Sequence, residues 1–122
     1  MRQFKQPICI DFDGVISKYD GWKGEDDLGK PLKGAKEFLE KLNSVGLRWV
    51  VFTTRPRDKV ADWFKEHKLP TPENITNIKI PSPVYIDDRV IKFDGDFSKL
   101  IKDMKNFNVY WKPEKIFDGY FK

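Results

Sequence analysis

The chain predicts an α/β fold built on a mainly parallel sheet, and three observations carry that expectation. Short runs rich in β-branched and aromatic residues alternate with apolar residues recurring at helical spacing. The stretches between successive runs are long enough for the crossover helices that parallel neighbours require. Polar, chemistry-bearing residues fall at the ends of the runs rather than inside them. A sheet covered by helices on both faces, in three layers, satisfies all three.

The elements follow in order. Pro7 to Asp11 reads as the first strand. Ala35, Phe38, Leu39 and Leu42 then recur at helical spacing, with Gly46 as the stop. Leu47 to Thr53 is β-branched and aromatic and reads as a buried strand, with Trp49 in the core. Val60, Trp63, Phe64 and His67 form a second helical stripe ended by Leu69-Pro70, and His67 at its edge reads as structural. Val84 to Ile86 is a third strand, running into Asp87-Asp88. Phe97, Leu100, Ile101 and Met104 mark a further helix, and Val109 to Trp111 is expected as a last strand.

Composition bounds the function. At 122 residues the whole chain, 1–122, is expected to form a single domain with a real hydrophobic core. No apolar run reaches membrane-spanning length, and the N-terminal residues lack a signal-peptide pattern. The single cysteine, Cys9, lies in the first apolar run with no partner for an intrachain disulfide. These features predict a cytoplasmic setting with Cys9 as a small core residue. The net charge of +4 mildly favours anionic ligands, without the basic block of a nucleic-acid arm.

The densest chemical signal is Ile8-Cys9-Ile10-Asp11-Phe12-Asp13-Gly14. Strand alternation sends Asp11 and Asp13 to one side and Phe12 to the other. Asp13-Gly14 suits a solvated turn, but Asp11 closes an apolar run, where an unneeded carboxylate is costly. A divalent cation, or a nucleophile paired with an acid, accounts for both. In open α/β sheets ligands bind beyond the carboxyl ends of the strands. There the chain places Asp11 and Asp13, then Thr53 and Thr54, then Asp87 and Asp88, with Lys79 a little ahead of the third strand.

The ordered set Asp-Phe-Asp-Gly-Val, Phe-Thr-Thr-Arg, a lysine and Tyr-Ile-Asp-Asp-Arg resembles the haloacid dehalogenase superfamily of phosphohydrolases. The resemblance spans Asp11 to Asp88, and the Tyr85–Asp96 stretch is similar to small capless members. It implies a Rossmann-like domain and a phosphatase acting through an aspartyl-phosphate. Asp11 would be the nucleophile, and Asp13 the general acid and base. Thr53, as the residue closing the apolar run, is preferred over Thr54 for binding the phosphoryl group, and Lys79 would offset negative charge. Mg²⁺ would be held by Asp11 and Asp87, by the Asp13 carbonyl, and by Asp88 directly or through water. Arg55 and Arg89 are candidate substrate grips, or partners for neighbouring acids.

Neither gap between motifs can house a cap, so the site is expected to be open, or closed by a second copy in a homo-oligomer. The loop 19–30 is a candidate flexible flap, with Tyr19 and Trp22 either stacking on a sugar or base or pinning the loop to the body. The expected substrate is a phosphorylated small molecule such as a nucleotide or sugar phosphate. Alternatives are phosphate removal from a nucleic-acid end, which lacks an aromatic–basic strand pattern, and a non-enzymatic phospho-accepting regulatory domain. The motif order argues against the latter, because its adjacent acids would come first.

Overall fold

The computed structural model describes residues 5–121. Its elements run β1 (Ile8–Asp11), α1 (Ala35–Ser44), β2 (Trp49–Phe52), α2 (Arg57–Glu66), β3 (Ile75–Thr76), β4 (Tyr85–Ile86) and α3 (Phe97–Asn106). The chain groups into two compact units, one ending at Asp87 and the other beginning at Asp88. The first unit holds a four-stranded sheet in the order β3-β2-β1-β4, with every pairing parallel. The expected α/β class with a Rossmann-like parallel sheet is the one observed.

Register explains which residues the sheet buries. Ile8 pairs with Trp49 and Ile10 with Val51, so these side chains share one face. They pack with Ala35, Leu39 and Leu42 of α1 and Val60, Trp63 and Phe64 of α2 in one core. Phe12 is fully buried in that core and meets the Trp63 ring edge-on, 4.8 Å between centroids. Cys9 and Val50, paired in the same register, point to the opposite face and are buried too. Both faces are therefore covered, as parallel sheets require.

The helix ends are set by local chemistry. In α1, Gly46 at φ 77° sends its N–H to the Asn43 carbonyl while the Leu47 N–H reaches Leu42. That is a Schellman stop with glycine at its left-handed position. α2 ends the same way, through Lys68 to Lys65 and Leu69 to Phe64, but with Lys68 at φ 57° where glycine is usual. His67 caps α2 with its ring against Trp63, a structural role. Asp96 caps α3 by accepting from the Ser98 and Lys99 amides.

Three expectations change. Strand β3 is an addition to the expected elements, because two residues between Asn74 and Asn77 carry no periodicity. Val109–Trp111 is a turn rather than a strand: the Lys112 N–H bonds the Val109 carbonyl, and the Asn108 side chain bonds both the Val109 and Lys112 carbonyls. Such side-chain bonds offer the backbone an alternative to a ladder. The α3 stripe exists, but none of its residues is fully buried, and Phe97 is 71% exposed. Among the described residues no helix is long and apolar enough to cross a membrane.

Candidate active site

The sheet order places the site. From β1 the chain steps to β2 and β3 on one side, then returns to add β4 on the other side of β1. The direction reverses between β1 and β4, and a crevice forms beyond the carboxyl ends of strands at such a point. Ile10 pairs with Ile86, so the next residues along the two strands, Asp11 and Asp87, flank that crevice. A carboxylate oxygen of Asp11 lies within 4.8 Å of one of Asp87. Both side chains are half-buried.

Their combined field reaches Cys9, whose thiol is pushed above its ordinary pKa, first by burial and then by Asp11 and Asp87. The thiol is held protonated at neutral pH, which removes Cys9 as a nucleophile.

Beyond β1 the chain turns sharply. The Phe12 carbonyl accepts from the Val15, Ile16 and Ser17 amides, and Gly14 at φ 88° sends its N–H to the Ser17 carbonyl. This turn lifts Asp13 out of the strand toward Arg55. The Arg55 Nε donates to both Asp13 carboxylate oxygens, at 3.0 and 2.9 Å. The Arg55 side chain is 2% exposed and that of Asp13 16%. Of the two roles considered for Arg55, pairing with an acid is the one observed.

Thr53 follows β2 directly and is buried, while Thr54 is exposed. The Thr53 Oγ1 accepts the Arg55 amide at 3.1 Å, leaving its own O–H proton to donate. Lys79 is exposed between β3 and β4, with its ammonium 5.2 Å from the centroid of the Tyr85 ring.

The loop 19–30 is fastened at several points within the same unit. Arg55 Nη1 donates to the Gly24 and Glu25 carbonyls, at 3.2 and 3.0 Å. The Trp63 Nε1 donates to the Gly29 carbonyl at 2.8 Å, and Lys59 pairs with Glu25 and Asp26. The Lys59 hydrogen bond draws the Asp26 carboxyl below its ordinary pKa. Trp22, 61% exposed, stacks over the Arg55 guanidinium, 4.7 Å from centroid to carbon. A cavity of about 240 Å³ opens beside Asp13, with Lys18, Tyr19, Lys30 and Arg55 in its wall.

In the second unit, Asp88 and Arg89 come first, Asp88 half-buried and Arg89 exposed. Asp88 Oδ2 accepts from Trp111 Nε1 at 2.6 Å. Its Oδ1 is buried with no hydrogen-bond partner among the described residues. A buried, unsatisfied carboxylate oxygen is costly, and a cation is the partner such an atom suits. Oxygen-only donors from Asp11 and Asp87 have the hardness Mg²⁺ requires, so the residue types fit that ion. Trp111 is a partner of Asp88 that the sequence does not disclose, because its contact depends on a turn.

No protein-family model and no curated protein matches the chain. A solved structure, that of a conserved protein coded by a locus from Bacteroides thetaiotaomicron, aligns with it at 19% identity and a TM-score of 0.56. The alignment covers 82% of this chain and 89% of that one, and at such identity the likeness shows the fold they share.

Proposed function

We propose that the chain is a Mg²⁺-dependent phosphomonoesterase of the haloacid dehalogenase type, acting on a phosphorylated small molecule such as a nucleotide or sugar phosphate. One observation carries this reading: the carboxylates of Asp11 and Asp87, on neighbouring parallel strands, approach within 4.8 Å at the switch point of the sheet. Like charges that close favour a shared cation. Mg²⁺ held by Asp11, Asp87 and the Asp13 carbonyl would neutralise charge between the nucleophile and the phosphate.

The side chains then divide the work. An Asp11 carboxylate oxygen attacks phosphorus, the bond to the leaving oxygen breaks, and Asp13 delivers a proton to that oxygen. A water molecule next attacks phosphorus, the bond to Asp11 breaks, and Asp13 takes the water's proton. Inorganic phosphate leaves and the Asp11 carboxylate is restored. The Thr53 hydroxyl, its acceptor side taken by the Arg55 amide, donates to a phosphoryl oxygen. Lys79 offsets negative charge around the phosphate. The cavity of about 240 Å³ beside Asp13 suits a small leaving group rather than a polymer.

Hydrolysis of an aryl phosphate, with and without Mg²⁺, tests the reading on the wild type and Asp11→Asn. The expected result is Mg²⁺-dependent turnover that Asp11→Asn lowers by at least about a thousandfold. Turnover that ignores the metal, or survives Asp11→Asn, overturns it.

A further inference from the structure

We infer that Arg55 is the positioning residue of this site: one buried guanidinium orients the Asp13 carboxylate and fastens the 22–25 loop, so that the acid–base group and the loop are held as one unit. The inference deepens the proposed function and rests on it for the role of Asp13. Its own basis is geometric. The side chain of Arg55 is 2% exposed, and its charge cannot be shed by deprotonation. A guanidinium so placed must spend its donors inside the protein.

It spends them on Asp13 and on the loop, which no other side chain among the described residues joins in this way. Along one edge, Nε meets both Asp13 oxygens at 3.0 and 2.9 Å. At the next nitrogen, Nη1 meets two successive loop carbonyls, Gly24 at 3.2 Å and Glu25 at 3.0 Å. Gly24 at φ 107° gives the backbone the bend at this point. The guanidinium carbon lies over the Trp22 ring, 4.7 Å from its centroid. The planar fork is rigid, so a shift of the loop rotates the guanidinium and with it the donor seen by Asp13. Its backbone amide meanwhile holds Thr53 Oγ1, at 3.1 Å. With Nε on Asp13 and Nη1 on the loop, the effect of Arg55 on the chemistry runs through Asp13.

The kinetic test uses an aryl phosphate with a good leaving group, for which transfer to Asp11 needs little acid help. Phosphate leaves Asp11 only when water attacks phosphorus and gives its proton to Asp13, so this step, unlike the first, depends on Asp13. Arg55→Met is expected to slow it by about tenfold or more, with phospho-enzyme accumulating and the transfer step changed by less than about twofold. In an Asp13→Asn background, Arg55→Met should add less than about twofold. Equal slowing of both steps, or multiplicative effects with Asp13→Asn, overturns the inference.

Tryptic cleavage after Lys23 supplies a readout free of turnover. Asp13→Asn, at a partly exposed carboxylate, should speed that cleavage, as should Arg55→Met, and the double variant should be no faster than either. Wild-type cleavage in Asp13→Asn defeats the coupling even if Arg55→Met does not fold. If Asp11→Asn retains full turnover, the phosphatase reading fails, while the cleavage rates still decide whether Arg55 links Asp13 to the loop.

Discussion

Asp11 and Asp13 stand two residues apart and meet different surroundings. Asp11 stays on the strand and faces Asp87, while Asp13 is carried by the Gly14 turn to Arg55. Separate surroundings are what two carboxylates need for separate roles. At Asp88 the Trp111 indole holds one oxygen, while the other is buried with no hydrogen-bond partner among the described residues. A hydrogen bond to a charged group contributes about 1.5–3 kcal/mol, and losing its donor strands the acceptor. Trp111→Phe should therefore destabilise the protein by about 1–3 kcal/mol, read as a lower urea midpoint. Gly29 is the other sensitive residue. A Cβ there would meet the Lys18 carbonyl oxygen at 2.7 Å, on a backbone at φ 73°. Gly29→Ala should destabilise the protein by about 1–3 kcal/mol, visible as a lower urea midpoint at unchanged slope.

At the scale of elements, the two Schellman stops differ in one residue. α1 uses Gly46 at its left-handed position, and α2 places Lys68 there. A left-handed conformation costs an L-residue roughly 1–2 kcal/mol relative to glycine. Part of that gain is returned through the greater freedom of glycine in the unfolded chain. Lys68→Gly should thus stabilise the protein by about 0.5–1 kcal/mol, read as a raised melting temperature. The cap of α3 has the opposite sign: Asp96→Ala removes an acceptor for two amides and should cost about 1 kcal/mol. The loop 19–30 is an element of its own, anchored to α2 through Trp63 and Lys59 and to the residue after Thr54 through Arg55. The Lys59 pairs are exposed and worth little alone. The buried Arg55 contacts dominate its placement.

For the molecule as a whole, metal binding and folding are linked. Asp11 and Asp87 come from strands far apart in sequence and meet only in the folded sheet. A cation bound there stabilises the native state by mass action, about 2.7 kcal/mol at a hundredfold excess over its dissociation constant. Mg²⁺ should raise the wild-type melting temperature and leave that of the Asp11→Asn, Asp87→Asn double variant unchanged. A scan with and without the ion, at constant ionic strength, checks it.

Much of this was legible in the chain by itself. Alternating β-branched runs and helical stripes determined the α/β class, because periodicity of burial is a local property. The positions of Asp11, Thr53 and Asp87 at strand ends followed for the same reason. Tertiary structure decided what depends on partners distant in sequence. It made Val109–Trp111 a turn whose indole holds Asp88, and it found β3, too short to show a period. It also paired the buried Arg55 with Asp13, one of the two roles the sequence left open for it. A side chain's partner is set by which strands become neighbours, and the reversal of strand order between β1 and β4 is written in no single segment.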